Sequence, residues 1–240
     1  MAAAFSLELR PLLRLAEGLS RLHSPRGTRL WQGTLGSCPL LLLKMGMGAE
    51  AARRSLSMLD GRPLAAVISI GTCAGLIEDL RRGDLVAARM VADQAGRAYL
   101  CYRGLADMAM AAAGRLPHQT AHLARRLECV ASVVSDPAER RRLALRFGAA
   151  AADMESSEVA GYAAQRGVPF LALKVVSDCA DSWMLPLDPR GWLAHPLHRA
   201  LRLPLYLAGL ARTAVEFGKI KRGLASCADV VGAIAAASVG

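Results

Sequence analysis

Aromatic residues make up only 5% of this chain, and none is interleaved with its paired arginines. Surfaces that bind nucleic acid stack bases on aromatic side chains set among basic ones, so the pattern argues against that class of partner. No apolar run reaches the roughly 20 residues that a membrane span needs. The opening MAAAFSLELRPLLRLAEGL has no early basic region and meets Glu8 and Arg10 too soon for a secretory signal. Six cysteines, Cys38, Cys73, Cys101, Cys129, Cys179 and Cys227, stand singly, with no CxxC pair and no histidine at ligand spacing. That spread argues against a zinc site or a disulfide framework, and for small core or loop residues in a reducing cytoplasm. No linker rich in Ser, Gly or Pro and no charge block divides the 240 residues, which favours one domain.

What is plentiful is apolar content, at 53%, and positive charge, at a formal +10. The first gives an ample core. Arginine recurs in Arg53/Arg54, Arg81/Arg82, Arg125/Arg126 and the run Arg140 to Arg142, which read as solvated helix faces, with attraction to an anionic surface or substrate as a further option.

Periodicity predicts a short strand at Ala2 to Phe5, a helix from about Leu7 to Leu22, and a hairpin over Trp31 to Lys44 turning at Gly33 to Ser37. MGMG then leads into a helix from about Ala49, with Gly46 and Gly48 letting a ligand approach the backbone. A strand at Leu64 to Ile70 is expected to run into a loop, GTCAGL, whose amides at Thr72, Cys73 and Ala74 face an anion or a sugar; a plain tight turn is the competing reading. Strands follow at Leu85 to Ala92 and Glu128 to Val134, and SDP at Ser135 to Pro137 opens a helix through Leu145. Residues 93 to 119 give no clear pattern. The alternation of β and α predicts a single α/β domain, a three-layer α/β/α sandwich around a central mixed, partly barrel-like sheet, with a basic, apolar helical extension from about residue 195 to 240.

The stretch from Ala151 to Asp181 organises the rest. Asp153 is placed to cap a helix over Met154 to Gln165, which Gly167 and Pro169 end. Phe170 to Val176 then reads as a strand buried on both faces, with Lys174 its one charge. Two carboxylates, Glu155 and Asp178, flank this unit, and Asp178 lies just past the strand's carboxyl end, the edge where open α/β sheets bind ligands. Glu8 falls in a strand-to-helix turn at a similar edge.

Taken in order, MGMG, GTCAGL with RRGDLV, ADMES and VVSDCAD resemble the nucleoside phosphorylase and nucleosidase superfamily over nearly the whole chain. The resemblance implies that Asp178 is the general acid that protonates a departing purine, that Glu155 accepts hydrogen bonds from the ribose hydroxyls, and that Met154 packs on the sugar. It gives Glu8 the task of positioning an attacking water, and Thr72, Cys73, Ala74 and Gly46 that of shaping the nucleophile or ligand loop. Lys174 stands where the family commonly has Arg, which leaves water and phosphate both open as nucleophile. The resemblance also implies a homo-oligomer, dimeric or trimer-based, and no cofactor, with phosphate a possible co-substrate.

Two departures bear on the substrate. The segment SVVSDPAERRRLALRFGAAAADMES is short and has no aromatic before Phe147, and the tail after SDCAD resembles the hopanoid-biosynthesis branch. That branch implies adenosylhopane, a lipid-linked adenine nucleoside. Trp183, Met184, Trp192, Leu203 and Leu205 to Leu207 would then form an apolar mouth, and Arg199, Arg202, Arg212, Lys219, Lys221 and Arg222 would favour an anionic membrane surface. The expected location is cytoplasmic, with peripheral attachment at the inner membrane face as an option. Two alternatives stay open: a methylthioadenosine/S-adenosylhomocysteine nucleosidase or general purine nucleoside phosphorylase, and a non-catalytic nucleoside- or lipid-binding protein on the same fold.

Overall fold

The computed structural model describes residues 1–181 and 197–237, with the backbone alone over 197–216. Its strands are β1 (Ala2–Ala3), β2 (Glu17–Leu22), β3 (Arg29–Leu35), β4 (Cys38–Lys44), β5 (Val67–Gly75), β6 (Leu85–Ala88), β7 (Met90–Asp93), β8 (Ala98–Leu100), β9 (Ala121–Ala124), β10 (Leu127–Cys129), β11 (Ala151–Asp153) and β12 (Phe170–Asp178). The helices are α1 (Ser6–Leu15), α2 (Ala49–Leu56), α3 (Arg103–Ala113), α4 (Pro137–Phe147), α5 (Ser156–Gln165) and α6 (Leu197–Ala237).

The strands form one mixed sheet in the order β2-β3-β4-β1-β5-β11-β10-β7-β8, with β12 branching from β5 to β6 and β6 pairing onward to β9. Its centre is the parallel pair β5 and β12, in register from Phe170 opposite Val67 to Val176 opposite Cys73. Both strands are buried along most of their length and largely apolar, with Ser69 and Lys174 among the exceptions, as position between two helical layers requires. Helices α1, α3 and α6 pack together on one side, and α2 and α5 pack together on the other. The expected sandwich is therefore present. Its barrel-like part arises because β6 and β7 are one chain broken only at Arg89: β6 pairs with β12 while β7 pairs with β10, closing a ring through β11 and β5.

Several boundaries differ from expectation. The helix predicted over Leu7 to Leu22 ends at Leu15, and Glu17–Leu22 is a strand paired to β3. Gly18, at φ 59°, interrupts the helical course, and Leu19 and Leu22 cover the core from a strand instead, with Ala16 at the end of α1. The hairpin turn narrows to Gly36 and Ser37 because β3 and β4 pair as far as Leu35 and Cys38. GTCAGL is not a loop: β5 begins at Val67 and continues to Gly75, paired with β12 along its length and with β11 at Ala74 and Gly75. The strand expected at Leu85 to Ala92 is split, and that expected at Glu128 to Val134 stops at Cys129. Residues 93 to 119 hold β8 and α3. The last helix runs to Ala237 and buries Val230, Val231 and Ile234.

Among the described residues no helix is long and apolar enough to cross a membrane. Trp183, Met184 and Trp192 lie outside the described residues. The tail residues from Arg199 to Arg212 belong to α6, where the backbone alone is described.

Candidate active site

Glu8 sits in the first turn of α1, where the helix N-terminus favours an acid. Its Oε2 accepts from the Phe5 amide at 2.8 Å. Oε1 accepts from both the Thr72 amide and the Thr72 hydroxyl, at 2.8 and 2.9 Å. A carboxylate has about four acceptor positions, so three are filled and one is left for a ligand or water. Thr72 therefore acts on Glu8, and it does so from a strand.

Glu155 comes from the turn between β11 and α5. The helix starts at Ser156, two residues later than expected, with Glu155 at the N-cap position. The Asp153 side chain nonetheless reaches the Ser156 amide, at 3.2 Å. Glu155 Oε1 accepts from the Gly48 amide at 2.6 Å. Gly48 has φ 88°, a backbone angle that the MGMG segment can adopt because it is glycine. Burial, followed by the charge of Asp153, pushes the Glu155 carboxyl up to about 7.

Asp178 is the last residue of β12. A register shift after Val176 sets it opposite Ala74, a bulge that turns its carboxyl toward the end of the sheet. Oδ2 accepts from Arg140 Nη2 at 2.5 Å, and Oδ1 meets the Ser177 hydroxyl, which also reaches Cys73 O at 3.0 Å. Burial pushes the neighbouring Cys73 thiol well up, so it is a neutral neighbour.

These groups face one cavity of about 230 Å³. Its lining includes the polar side chains of Glu8, Thr72, Asp153, Glu155, Ser177 and Asp178, together with Cys73, Ala74 and Met154 and the apolar residues Ala4, Phe5, Met47, Val130, Val133 and Val134. Phe5, Met47 and Val133 are about half exposed and form an apolar rim. The structure thus gathers Glu8, Glu155, Asp178, Met154, Thr72, Cys73 and Ala74. Gly46 stays outside the lining, where its amide donates to Ala4 O at 3.0 Å.

Lys174 departs from its expected place. Its ammonium is buried against Asp153 Oδ2 at 2.9 Å, Ser69 Oγ at 2.9 Å and Ile70 O at 3.3 Å. Burial alone would lower its pKa, but the charges of Asp153, Glu155 and Glu8 together raise it. With those three partners it anchors Asp153 from beneath the site and does not line the cavity. Among the described lining residues there is no Arg or Lys, and among the described residues no three His, Cys, Asp or Glu side chains are grouped to hold a metal.

Arg140 and Ser177 carry site contacts that the sequence reading did not single out, while Gly48, expected to let a ligand approach the backbone, donates its amide to Glu155. Arg140 is the clear correction: it is not on a solvated face but fully buried. Its signal was present, because Arg140, Leu143 and Phe147 share one helical stripe, while Arg141 and Arg142 are exposed. All six cysteines are free, and four of them are buried.

A 5'-methylthioadenosine/S-adenosylhomocysteine nucleosidase of Shewanella baltica (strain OS195) is 26% identical over 210 residues, covering 79% of this chain and 88% of the relative. The crystal structure of the nucleosidase of that name from Neisseria meningitidis, in complex with methylthio-immucillin-A, superposes with a TM-score of 0.76 at 18% identity, covering 97% of this chain and 96% of the other. Futalosine hydrolase of Helicobacter pylori strain 26695 superposes with a TM-score of 0.74 at 16% identity, covering 97% and 94%. The model of the phosphorylase superfamily matches residues 2–186, so the chain belongs to that superfamily of nucleoside phosphorylases and nucleosidases, as an N-ribosyl hydrolase or phosphorylase.

Proposed function

We propose that this protein hydrolyses the N-glycosidic bond of an adenine nucleoside carrying an apolar 5′ substituent, with adenosylhopane the favoured substrate. The observation that carries the reading is the convergence of Glu8, Glu155 and Asp178 on one cavity with an apolar rim. The nucleosidase relatives support adenine nucleosides as the substrate class.

In this reading the purine lies toward Asp178, the ribose toward Glu155 and Met154, and C1′ toward Glu8. The bond from C1′ to N9 breaks as Asp178 gives its proton to N7, and the departing base leaves neutral. The ring gains positive charge, which the surrounding carboxylates stabilise. A water held by the remaining acceptor position of Glu8 adds its oxygen to C1′ and gives its proton to Glu8. The products are adenine and a 5′-substituted ribose.

Water is favoured over phosphate because the cavity presents Glu8, Asp153, Glu155 and Asp178, and no lining Lys or Arg among the described residues to offset a dianion. The apolar tail, on its resemblance to the hopanoid branch, and the half-exposed rim favour a lipid substituent. A 5′-methylthio group fits the same rim, so methylthioadenosine is the second reading.

The test is adenine release from 5′-hopanyl adenosine and from methylthioadenosine, each with and without phosphate. Preference for the lipid nucleoside without need of phosphate is the expected result. Preference for methylthioadenosine returns the protein to nucleoside salvage, and dependence on phosphate overturns hydrolysis.

A further inference from the structure

Arg140 is the largest fully buried side chain described, and it lies beneath the carboxyl group assigned as the acid. Its Nε and Nη2 donate to Val134 O at 3.0 and 2.9 Å, its Nη1 to Cys179 O, and its Nη2 also to Asp178 Oδ2 at 2.5 Å. One guanidinium thus ties the segment leading into α4 to the exit of β12. Burying such a cation costs it its hydration, and the structure sets only one carboxyl group and two carbonyls against that loss. A hydrophobic residue would hold α4 at lower cost, which points to a task beyond packing.

We propose that Arg140 is a positioning residue that stabilises the carboxylate left on Asp178 once its proton has gone to the departing base, and that it acts through Asp178 alone. The inference rests on the assignment of Asp178 as the acid. A general acid becomes negative as it works, and a fixed guanidinium on its far oxygen is matched to that charge more than to the neutral group it began as. The near oxygen is accommodated in both states. Ser177 gives its proton to Cys73 O while Oδ1 is protonated and the Oδ1 proton is free for the base, then turns that hydroxyl proton to Oδ1 when Asp178 is ionised. Among the described residues, the other charged or titratable groups around Asp178 include the carboxylates Glu8, Asp153 and Glu155 across the cavity, the Cys73 thiol on β5, Cys179 next in the chain, Lys174 on β12, and Arg82, whose Nε donates to Ser177 O at 2.9 Å. Arg140 brings its cation directly onto the Asp178 carboxyl.

The test is kcat/KM for adenine release from whichever of methylthioadenosine and 5′-hopanyl adenosine the native enzyme turns over. Native protein is compared with Arg140→Met, Arg140→Lys, Asp178→Asn and the Arg140→Met/Asp178→Asn double variant. Without the guanidinium the carboxylate formed on Asp178 loses its charged partner, so Arg140→Met should lose about 100-fold in kcat/KM. In the Asp178→Asn background the same substitution should change little. Arg140→Lys keeps a charge within reach and should stay within about tenfold of native, which decides the matter if Arg140→Met does not fold.

Near-native kcat/KM in a folded Arg140→Met protein, a full further loss in the Asp178→Asn background, or Arg140→Lys as inactive as Asp178→Asn would each overturn the role of Arg140. The underlying assignment fails separately: native adenine release by Asp178→Asn would mean that Asp178 is not the acid.

Discussion

Glu8 and Gly71 depend on each other: a Cβ on residue 71 would lie 2.7 Å from Glu8 Oε1 and 2.9 Å from its carboxyl carbon. The backbone of Gly71 also has φ 129°, which side-chain-bearing residues rarely adopt. The amide that follows it, that of Thr72, is the one that holds Oε1. Glycine in GTCAGL thus serves a strand that passes against a carboxylate.

Gly71→Ala should therefore act as an indirect lesion of Glu8. The strained backbone costs about 1–3 kcal/mol of stability, and displacing the carboxylate by about 1 Å should lower turnover about 100-fold. Thermal unfolding and single-turnover adenine release measure the two effects. Near-native turnover in a folded Gly71→Ala protein would show that Glu8 does not need its place.

Glu155 sets a pH dependence with two signs. Its folded-state carboxyl is raised from 4.5 to about 7, chiefly by burial, so the folded protein holds that proton more tightly than the unfolded chain. The stabilisation is complete below about 4.5 and is lost as pH climbs through about 7, a swing on the order of 3 kcal/mol. Ribose hydroxyls, however, are best accepted by the ionised form, so KM should fall over the same interval. Glu155→Gln should flatten both curves and be more stable than native protein at high pH. Urea unfolding and KM across that range check this, and a native KM that is flat through neutrality would count against Glu155 as the ribose acceptor.

The pairing of Lys174 with Asp153 makes a third prediction. Removing one partner of a buried ion pair leaves an uncompensated charge, so Lys174→Met should cost about 3–5 kcal/mol in urea unfolding. Lys174→Met with Asp153→Asn should recover part of that loss, because the pair is removed together. If Lys174 held phosphate instead, the single variant would be stable and would lose only phosphate-dependent activity.

The parts of the site legible in the sequence were those whose chemistry fixes residue type and order. Glu155 in ADMES and Asp178 in VVSDCAD could be placed at one sheet edge because a helix and an apolar strand separate them by a set length. The strand β5 was cut short in the reading because small residues such as Gly71 and Gly75 suggest a turn, yet here they allow close passage of Glu8 and pairing with β11. The helix α1 was drawn too long because Leu19 and Leu22 suit a helical period as well as a strand interrupted at Gly18. Arg140 escaped because an arginine run is read by its charge, whereas its place on the stripe with Leu143 and Phe147 is what buries it. Lys174 was read correctly as a charge in a buried strand; its partner was not legible, since Asp153 is brought to it only by the pairing of β5 with both β11 and β12.

The rim offers a prediction about specificity. Phe5, Met47 and Val133 line the cavity while remaining 47%, 55% and 50% exposed, so each has apolar surface left for a substrate to cover. Covering about half of such a side chain contributes roughly 1 kcal/mol, or about fivefold in affinity. The contact is remote from C1′ and is made equally before and during bond breaking, so it should appear in KM and leave kcat unchanged. Met47→Ser and Phe5→Ser are therefore expected to raise KM about fivefold each for a nucleoside with an apolar 5′ group. Adenosine, whose 5′ hydroxyl gives the rim nothing to bury, serves as the control and should be unaffected. Phe5 holds Glu8 through its backbone amide, which the substitution retains. Equal losses for both nucleosides would mean that the rim supports the fold of the site and does not select the substituent.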